Sequence, residues 1–326
     1  MAVAALLMVG NLYPAPPWAW AERKALMRHW LRDPIQGLAD LIPHHALRLL
    51  PTEAASAVGA HMGLRSGSRR SEGSERARAL FRALRPDADA AEIQALLVAH
   101  WSHVGRCFGE FAGLHRFWAE GRIEVAGGAV LREVQESGRP LVVAGLHVGN
   151  WEVVHAGLSG LGIRFSGIYQ RLPNRFRMRI ADTARNRIRQ AGGPGRALAP
   201  SLGAVFEAHR LLESRDSALL YYVDEYWDGR VHAPALGRPL RMDGNIMRAV
   251  RLAAATGAAV VPAYALRLGD EARFRLTFLP EIPVGPPGRG RSAALEDIAA
   301  LDRVVETVVR AHPEQWFMAH VFQPDR

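Results

Sequence analysis

The sequence predicts an α/β protein. It should form one catalytic domain with a central, mostly parallel sheet flanked by helices, preceded by a helical region of membrane-associating character. Three observations carry the prediction. The stretch Leu141–Leu158, LVVAGLHVGNWEVVHAGL, opens on a continuous apolar run, which reads as a parallel strand buried on both faces. From about residue 121, such runs alternate with helical stretches, the pattern of a parallel sheet covered by helices. Before that point the periodic segments have helical spacing. The chain therefore divides at 1–120 and 121–326.

Taken in order, Ala2–Val9 is apolar but short and follows no charged segment, which argues against a cleaved signal peptide. Asn11–Pro17 breaks any helix. From Trp18 to Leu64 apolar clusters alternate with Arg and His, and no run is long enough to predict a spanning helix. Trp18, Trp20 and Trp30 among Arg23, Lys24, Arg28 and Arg32 fit a segment lying in a membrane interface. An amphipathic helix packed on the core fits the same spacing. Arg65–Arg78 is polar, charged and Gly/Ser-rich, and reads as an exposed connection or a helix entry. Ala90–Phe117 repeats Ile93, Leu96, Leu97, His100, Trp101, Val104 and Phe108 at helical intervals, with Glu110 read as structural. Ile123–Val125 predicts a short strand and Ala129–Glu136 a helix.

The strand from Leu141 is expected to end at His147. Gly149-Asn150 then reads as a tight turn, and Trp151–Leu158 resumes as a helix with Glu152 in its first turn. Open α/β sheets place their chemistry at such strand ends. Further strands are expected at Arg164–Tyr169, Ser217–Val223, Ala258–Leu266 and Arg273–Phe278, with helices at Asn245–Thr256 and Leu295–Arg310 and a loop at Gly285–Arg291. Gly192–Gly195 is a turn rather than a phosphate loop, because no Gly-Lys-Ser/Thr follows. Leu161 breaks any Gly-x-Ser-x-Gly elbow at Gly157–Gly162.

Composition narrows the class. Net charge is +9, and lysine occurs only at Lys24, so the positive charge is almost all arginine. Such a surface suits anionic lipid, an acidic protein or nucleic acid. Without a zinc-finger, RNA-recognition or basic-zipper pattern, nucleic acid is set aside. A single cysteine, Cys107, excludes a disulfide framework and a cysteine-rich metal site.

Of the 13 histidines, three have an acid five residues on: His147/Glu152, His115/Glu120 and His320/Asp325. Only the first follows a buried strand and a glycine turn. Residues five apart on one helix lie about 140° apart, so the pair needs that turn to meet. A carboxylate on one ring nitrogen fixes the tautomer and leaves the other nitrogen as a general base. No serine or cysteine nucleophile stands beside it, so the target is a hydroxyl of a bound substrate. Asp224 and Glu225 close the third strand. Adjacent residues on extended chain point apart, so a metal site there is rejected and Asp224 is expected to orient an arginine or the substrate. Arg171, Arg175, Arg179, Arg185 and Arg189 recur at nearly four-residue spacing, which makes either a cradle for phosphate or acidic protein or a solvated face.

LVVAGLHVGNWE resembles the active-site segment of the bacterial lipid A biosynthesis acyltransferases. GIYQRLPN (167–174), YYVDEYWDGRVHAPALGRP (221–239) and HPEQWFMAH (312–320) resemble the same family in the same order. Gln170 stands where that family carries an arginine, with Arg171 one residue later. Tyr226 replaces a second Asp after Asp224, and Asn174 matches the family asparagine. The resemblance implies a catalytic dyad of His147 and Glu152. It also implies substrate contacts from Asn150, Tyr169, Arg171, Asn174, Arg175, Asp224 and Arg238, with no metal or cofactor. The implied donor is acyl carrier protein thioester. The implied acceptor is a lipid A precursor at the cytoplasmic face of a bacterial inner membrane, to which the protein would be attached peripherally or monotopically. Another membrane lipid as acceptor, or a non-catalytic relative, are the alternatives.

Overall fold

A computed structural model describes residues 20–169, 172, 174–192, 197–198, 202–215 and 217–324. A seven-stranded sheet forms its centre, in the order β1 (Ile123–Ala126), β9 (Phe274–Phe278), β8 (Ala259–Arg267), β2 (Leu141–Gly149), β5 (Ala218–Tyr222), β3 (Phe165–Ile168), β4 (Ala197–Leu198). Every pairing is parallel except β8 with β9. The apolar run therefore becomes the middle strand, and all nine residues of β2 are buried. Each fully buried Val or Leu there contributes about 1.5–3 kcal/mol. A small antiparallel hairpin, β6 (Tyr226–Trp227) with β7 (Arg230–Val231), follows β5.

β2 extends two residues past its expected end. His147 and Val148 remain in the strand, and the register against β8 shifts between Gly145 and Gly149. Gly149 ends it with φ 66°, where a Cβ would sit 2.0 Å from the Ala265 carbonyl, so only glycine fits. Helix α7 (Glu152–Gly160) starts at once, placing Glu152 in the first turn as expected.

Four helices precede the sheet besides a short first one. α1 (Trp20–Met27) runs through a π turn (Arg28–Arg32) into α2 (Asp33–Arg48). Pro34 has no N–H for the Trp30 carbonyl, which accounts for the widened turn just before it. α3 (Thr52–Arg69) and α4 (Ser71–Leu84) are separated only at Arg70, so the stretch 65–78 is a helix end and a helix entry rather than an exposed connection. Of its Gly and Ser residues, Gly67 and Ser74 are buried while Ser68 and Ser71 are exposed. α5 (Ala90–Phe111) opens with an Asp89/Glu92 capping box.

α1 and α2 do not bury their apolar face. Trp20, Met27, Leu31, Ile35, Leu38, Ile42 and Leu49 fall on one helical stripe and are all exposed. The opposite side docks instead: Gly37 lies so close to the Phe176 ring that a Cβ would sit 2.4 Å from it. Among the described residues no helix is long and apolar enough to cross a membrane.

The remaining helices are α6 (Ala129–Glu136), α8 (Arg175–Gly192), α9 (Leu202–Ser214), α10 (Gly244–Thr256) and α11 (Gly290–Ala311). α10 stops at Gly257 in the left-handed conformation, as read from sequence. α11 begins inside the expected 285–291 loop. Two 3₁₀ turns, Pro313–Gln315 and Phe317–His320, fold the HPEQWFMAH segment back over the end of β2, where Val148 bridges Trp316.

Candidate active site

His147 is set by three fixed elements: the end of β2, the turn after β5, and the C-terminal 3₁₀ segment. Its Nδ1 lies 2.8 Å from Asp224 Oδ1, and its own backbone N–H reaches Asp224 Oδ2 at 2.9 Å. Trp316 Nε1 donates to the same Oδ2 at 2.9 Å. Asp224 is fully buried, and these donors keep its carboxylate in place. On the other side of the ring, Glu225 Oε2 stands 3.7 Å from Nε2. The two carboxylates do point apart, but they do so across one imidazole. Tyr222 packs against that ring at 4.4 Å between centroids, and Trp151 at 5.5 Å.

Burial works against charging His147, yet the Asp224 and Glu225 carboxylates outweigh it, so the imidazole titrates above its ordinary value. Burial likewise raises Glu225, with the nearby imidazole only partly offsetting it. The site thus holds a histidine with one nitrogen occupied by a carboxylate and one left toward a second acid.

Glu152 is not the partner of that ring. Its carboxylate meets Arg185 from α8, at 2.5 Å to Nη2 and 3.2 Å to Nε, and stands 3.5 Å from His155 Nδ1. Burial opposes its ionisation, but Arg185 and His155 prevail and hold it at about 2. The expectation that Glu152 orients His147 through a hydrogen bond is therefore corrected. β2 runs on past His147 through a register shift, and Asp224 in the turn after the neighbouring β5 reaches Nδ1.

Other expected contacts also take different roles. Asn150 is buried, donates to Glu110 Oε2 at 2.8 Å and accepts the Glu152 backbone N–H at 3.2 Å. These bonds hold the turn. Glu110 is structural as read, forming a forked pair with Arg267 at 2.6 and 2.8 Å while accepting Ser56. Asn174 caps α8 through Phe176 N–H and bonds the Asp33 carbonyl. Arg238 is spent on the carbonyls of Val231, Pro234 and Ala235 and stacks on Phe322. Tyr169 lies half-buried with Arg185 5.7 Å from its ring centroid. Arg171, like Gln170, lies outside the described residues.

The arginine stripe divides. Arg185 turns inward to Glu152, while Arg175 meets His29 and Arg179 is exposed. Arg177, off the stripe, holds Asp40. Nothing of the Arg189 side chain is described. Cys107 is buried against the Gly149 carbonyl and pushed up to about 12 by burial, so it is no nucleophile. Sequence reasoning missed Glu225, Tyr222, Trp316 and Arg267 as parts of this constellation. Trp316 was signalled only by its place in HPEQWFMAH.

No curated protein matches the sequence. The family model described as bacterial lipid A biosynthesis acyltransferase matches residues 32–321, nearly the whole chain and all the elements that build the site. The chain belongs to the bacterial lipid A biosynthesis acyltransferase family and is an acyltransferase.

Proposed function

We propose that the chain transfers a fatty acyl group from an acyl carrier protein thioester to a hydroxyl of a lipid A precursor, with His147 as general base. The observation that carries this reading is the asymmetry of the imidazole. Nδ1 is committed to Asp224 at 2.8 Å, so the ring proton belongs there and Nε2 is the basic nitrogen. Nε2 takes the acceptor hydroxyl proton while its oxygen bonds to the thioester carbonyl carbon. The tetrahedral oxyanion collapses, the C–S bond breaks, and the imidazolium returns its proton to the departing thiolate. Asp224 and Glu225 stabilise that imidazolium. Glu152 adds to the same field at longer range and keeps Arg185 in place. Arg171 and backbone N–H groups are the candidates for donors to the oxyanion.

We further propose that the protein works as a peripheral or monotopic protein at the cytoplasmic face of a bacterial inner membrane. The exposed stripe on α1 and α2 supports this, since its seven large apolar residues are left exposed by the described residues. The basic surface suits anionic lipid.

The test is direct. Purified full-length protein is incubated with acyl carrier protein thioester and a lipid A precursor, and the lipid is weighed by mass spectrometry. A product heavier by one acyl chain is expected. Acylation of a lysophospholipid with none of the lipid A precursor would contradict the proposed acceptor.

A further inference from the structure

At the carboxyl end of α2 a cavity of about 370 Å³ opens among His45, Arg48, Leu49, His115 and Arg116. Four of these five are arginine or histidine. Arg187 of α8 adds a further cation. After burial, its charge is the largest influence holding His115 below the ordinary value, ahead of Arg116 and Arg48. Among the described residues, neither Arg48 nor Arg187 pairs with a carboxylate. Arg116 donates through Nη2 to the Leu50 carbonyl at 3.1 Å, but its Nε is buried without a hydrogen-bond partner. The nearest acid, Glu120, stands 3.6 Å from that Nε and already accepts from Thr52 and Arg122.

Cations that outnumber the one nearby acid, Glu120, face mutual repulsion, which a bound anion relieves. A phosphate suits the space and offers forked acceptors to arginine. The negative end of the α2 dipole opposes this, but it is worth at most about one charge-pair effect within the last turn, against three guanidinium groups. The rim says what the phosphate is attached to. Leu49 lines the cavity, is 87% exposed, and is the last residue of the apolar stripe. A ligand that fills this cavity therefore lays an apolar body along α2. α8 also links the cavity to the site, because Arg187, whose charge acts on His115, follows two residues after Arg185, which pairs with Glu152.

We propose that this cavity holds the phosphate of a membrane lipid, gripped by Arg48, Arg116 and Arg187. The proposal rests on the reading of the α1–α2 stripe as membrane-facing. Its test is partition of the full-length protein onto vesicles of phosphatidylcholine containing either phosphatidic acid or oleate at matched surface charge. Wild type should prefer the phosphatidic acid vesicles by about tenfold. Arg48→Gln with Arg187→Gln should abolish that preference, and neither side chain holds another described residue in place. Each basic residue lost from a uniformly charged surface costs about fivefold in partition, whatever the anionic lipid. Equal losses on both vesicles would therefore overturn the site and leave only general attraction. Inorganic phosphate bound in solution by wild type but not by the double variant, with no vesicle preference, would overturn the lipid as source. The readout needs no catalysis, so His147→Ala should partition like wild type, and failure here leaves the acyl-transfer reading standing.

Discussion

Two groups of buried histidine in this protein behave in opposite ways. His147 is fully enclosed but faces two carboxylates, and titrates above its ordinary value. His100 on α5 and His320 in the last 3₁₀ turn bond each other at 3.1 Å, with the Glu314 carbonyl on the far nitrogen of His100 at 3.2 Å. Among the described residues no carboxylate faces this pair. Burial, followed for His100 by His320 and for His320 by Arg70, holds them at about 3 and about 4. Burial alone thus makes a neutral packing residue. Burial with an orienting acid makes a base poised to accept a proton.

The largest effect that would break this contrast is loss of the base. His147→Ala should lower acyl transfer by about 10²–10⁴-fold with the fold intact, measured as initial rates and a thermal melt. Near-normal turnover would end the mechanism. Next is the support beneath the site. Glu110→Ala leaves Arg267 buried and unpaired and frees Asn150, so denaturant titration should show about 3–5 kcal/mol lost. A cost under about 1 kcal/mol would show that the turn is held otherwise.

Glu152→Gln should act more mildly on rate, by about tenfold, because it touches His147 only through its charge. Its effect on stability carries a sign. The folded carboxyl sits at about 2, below its ordinary value of 4.5, so its contribution is present above pH 4.5 and lost as pH falls toward 2. Wild type should lose that increment on acidification and the variant should not. The smallest effect on activity belongs to the contrasting pair. His100→Phe should leave kcat nearly unchanged. In wild type the unfolded histidines take up protons below about 6.5, whereas the folded ones do not until about pH 4–3, so stability should fall across that window. The variant should flatten the fall, and an unchanged slope would show that the pair does not carry it.

Much of this was legible in sequence. The apolar run Leu141–Leu146 announced the central strand, Gly257 announced the end of α10, and the order His147–turn–Glu152 located the site. The partner of His147 was not legible, because Asp224 lies 77 residues away and reaches the ring only through strand pairing of β2 with β5. The link from Glu152 to Arg185 is hidden in the same way, since four-residue spacing marks a helix face without saying which arginine turns inward. The α1–α2 stripe shows the same limit. Periodicity reveals that Leu31, Ile35, Leu38 and Ile42 share a face, but it cannot say that Gly37, not the stripe, packs against Phe176 of α8. The intramolecular partners of Asn150, Asn174 and Arg238 were not legible either, because polar side chains near a site can bond turns and caps from many positions.

Asp224, rather than Glu152, sets the basicity of His147. The pH dependence of kcat/KM in wild type, Asp224→Asn and Glu152→Gln tests it most directly. A neutral imidazole is needed, so the rate should rise with pH through the His147 pKa, placing the wild-type limb above about 6.5. Asp224→Asn should move that limb to lower pH while reducing the plateau about a hundredfold or more, and Glu152→Gln should move it only slightly. A limb that shifts further with Glu152→Gln than with Asp224→Asn would contradict the claim.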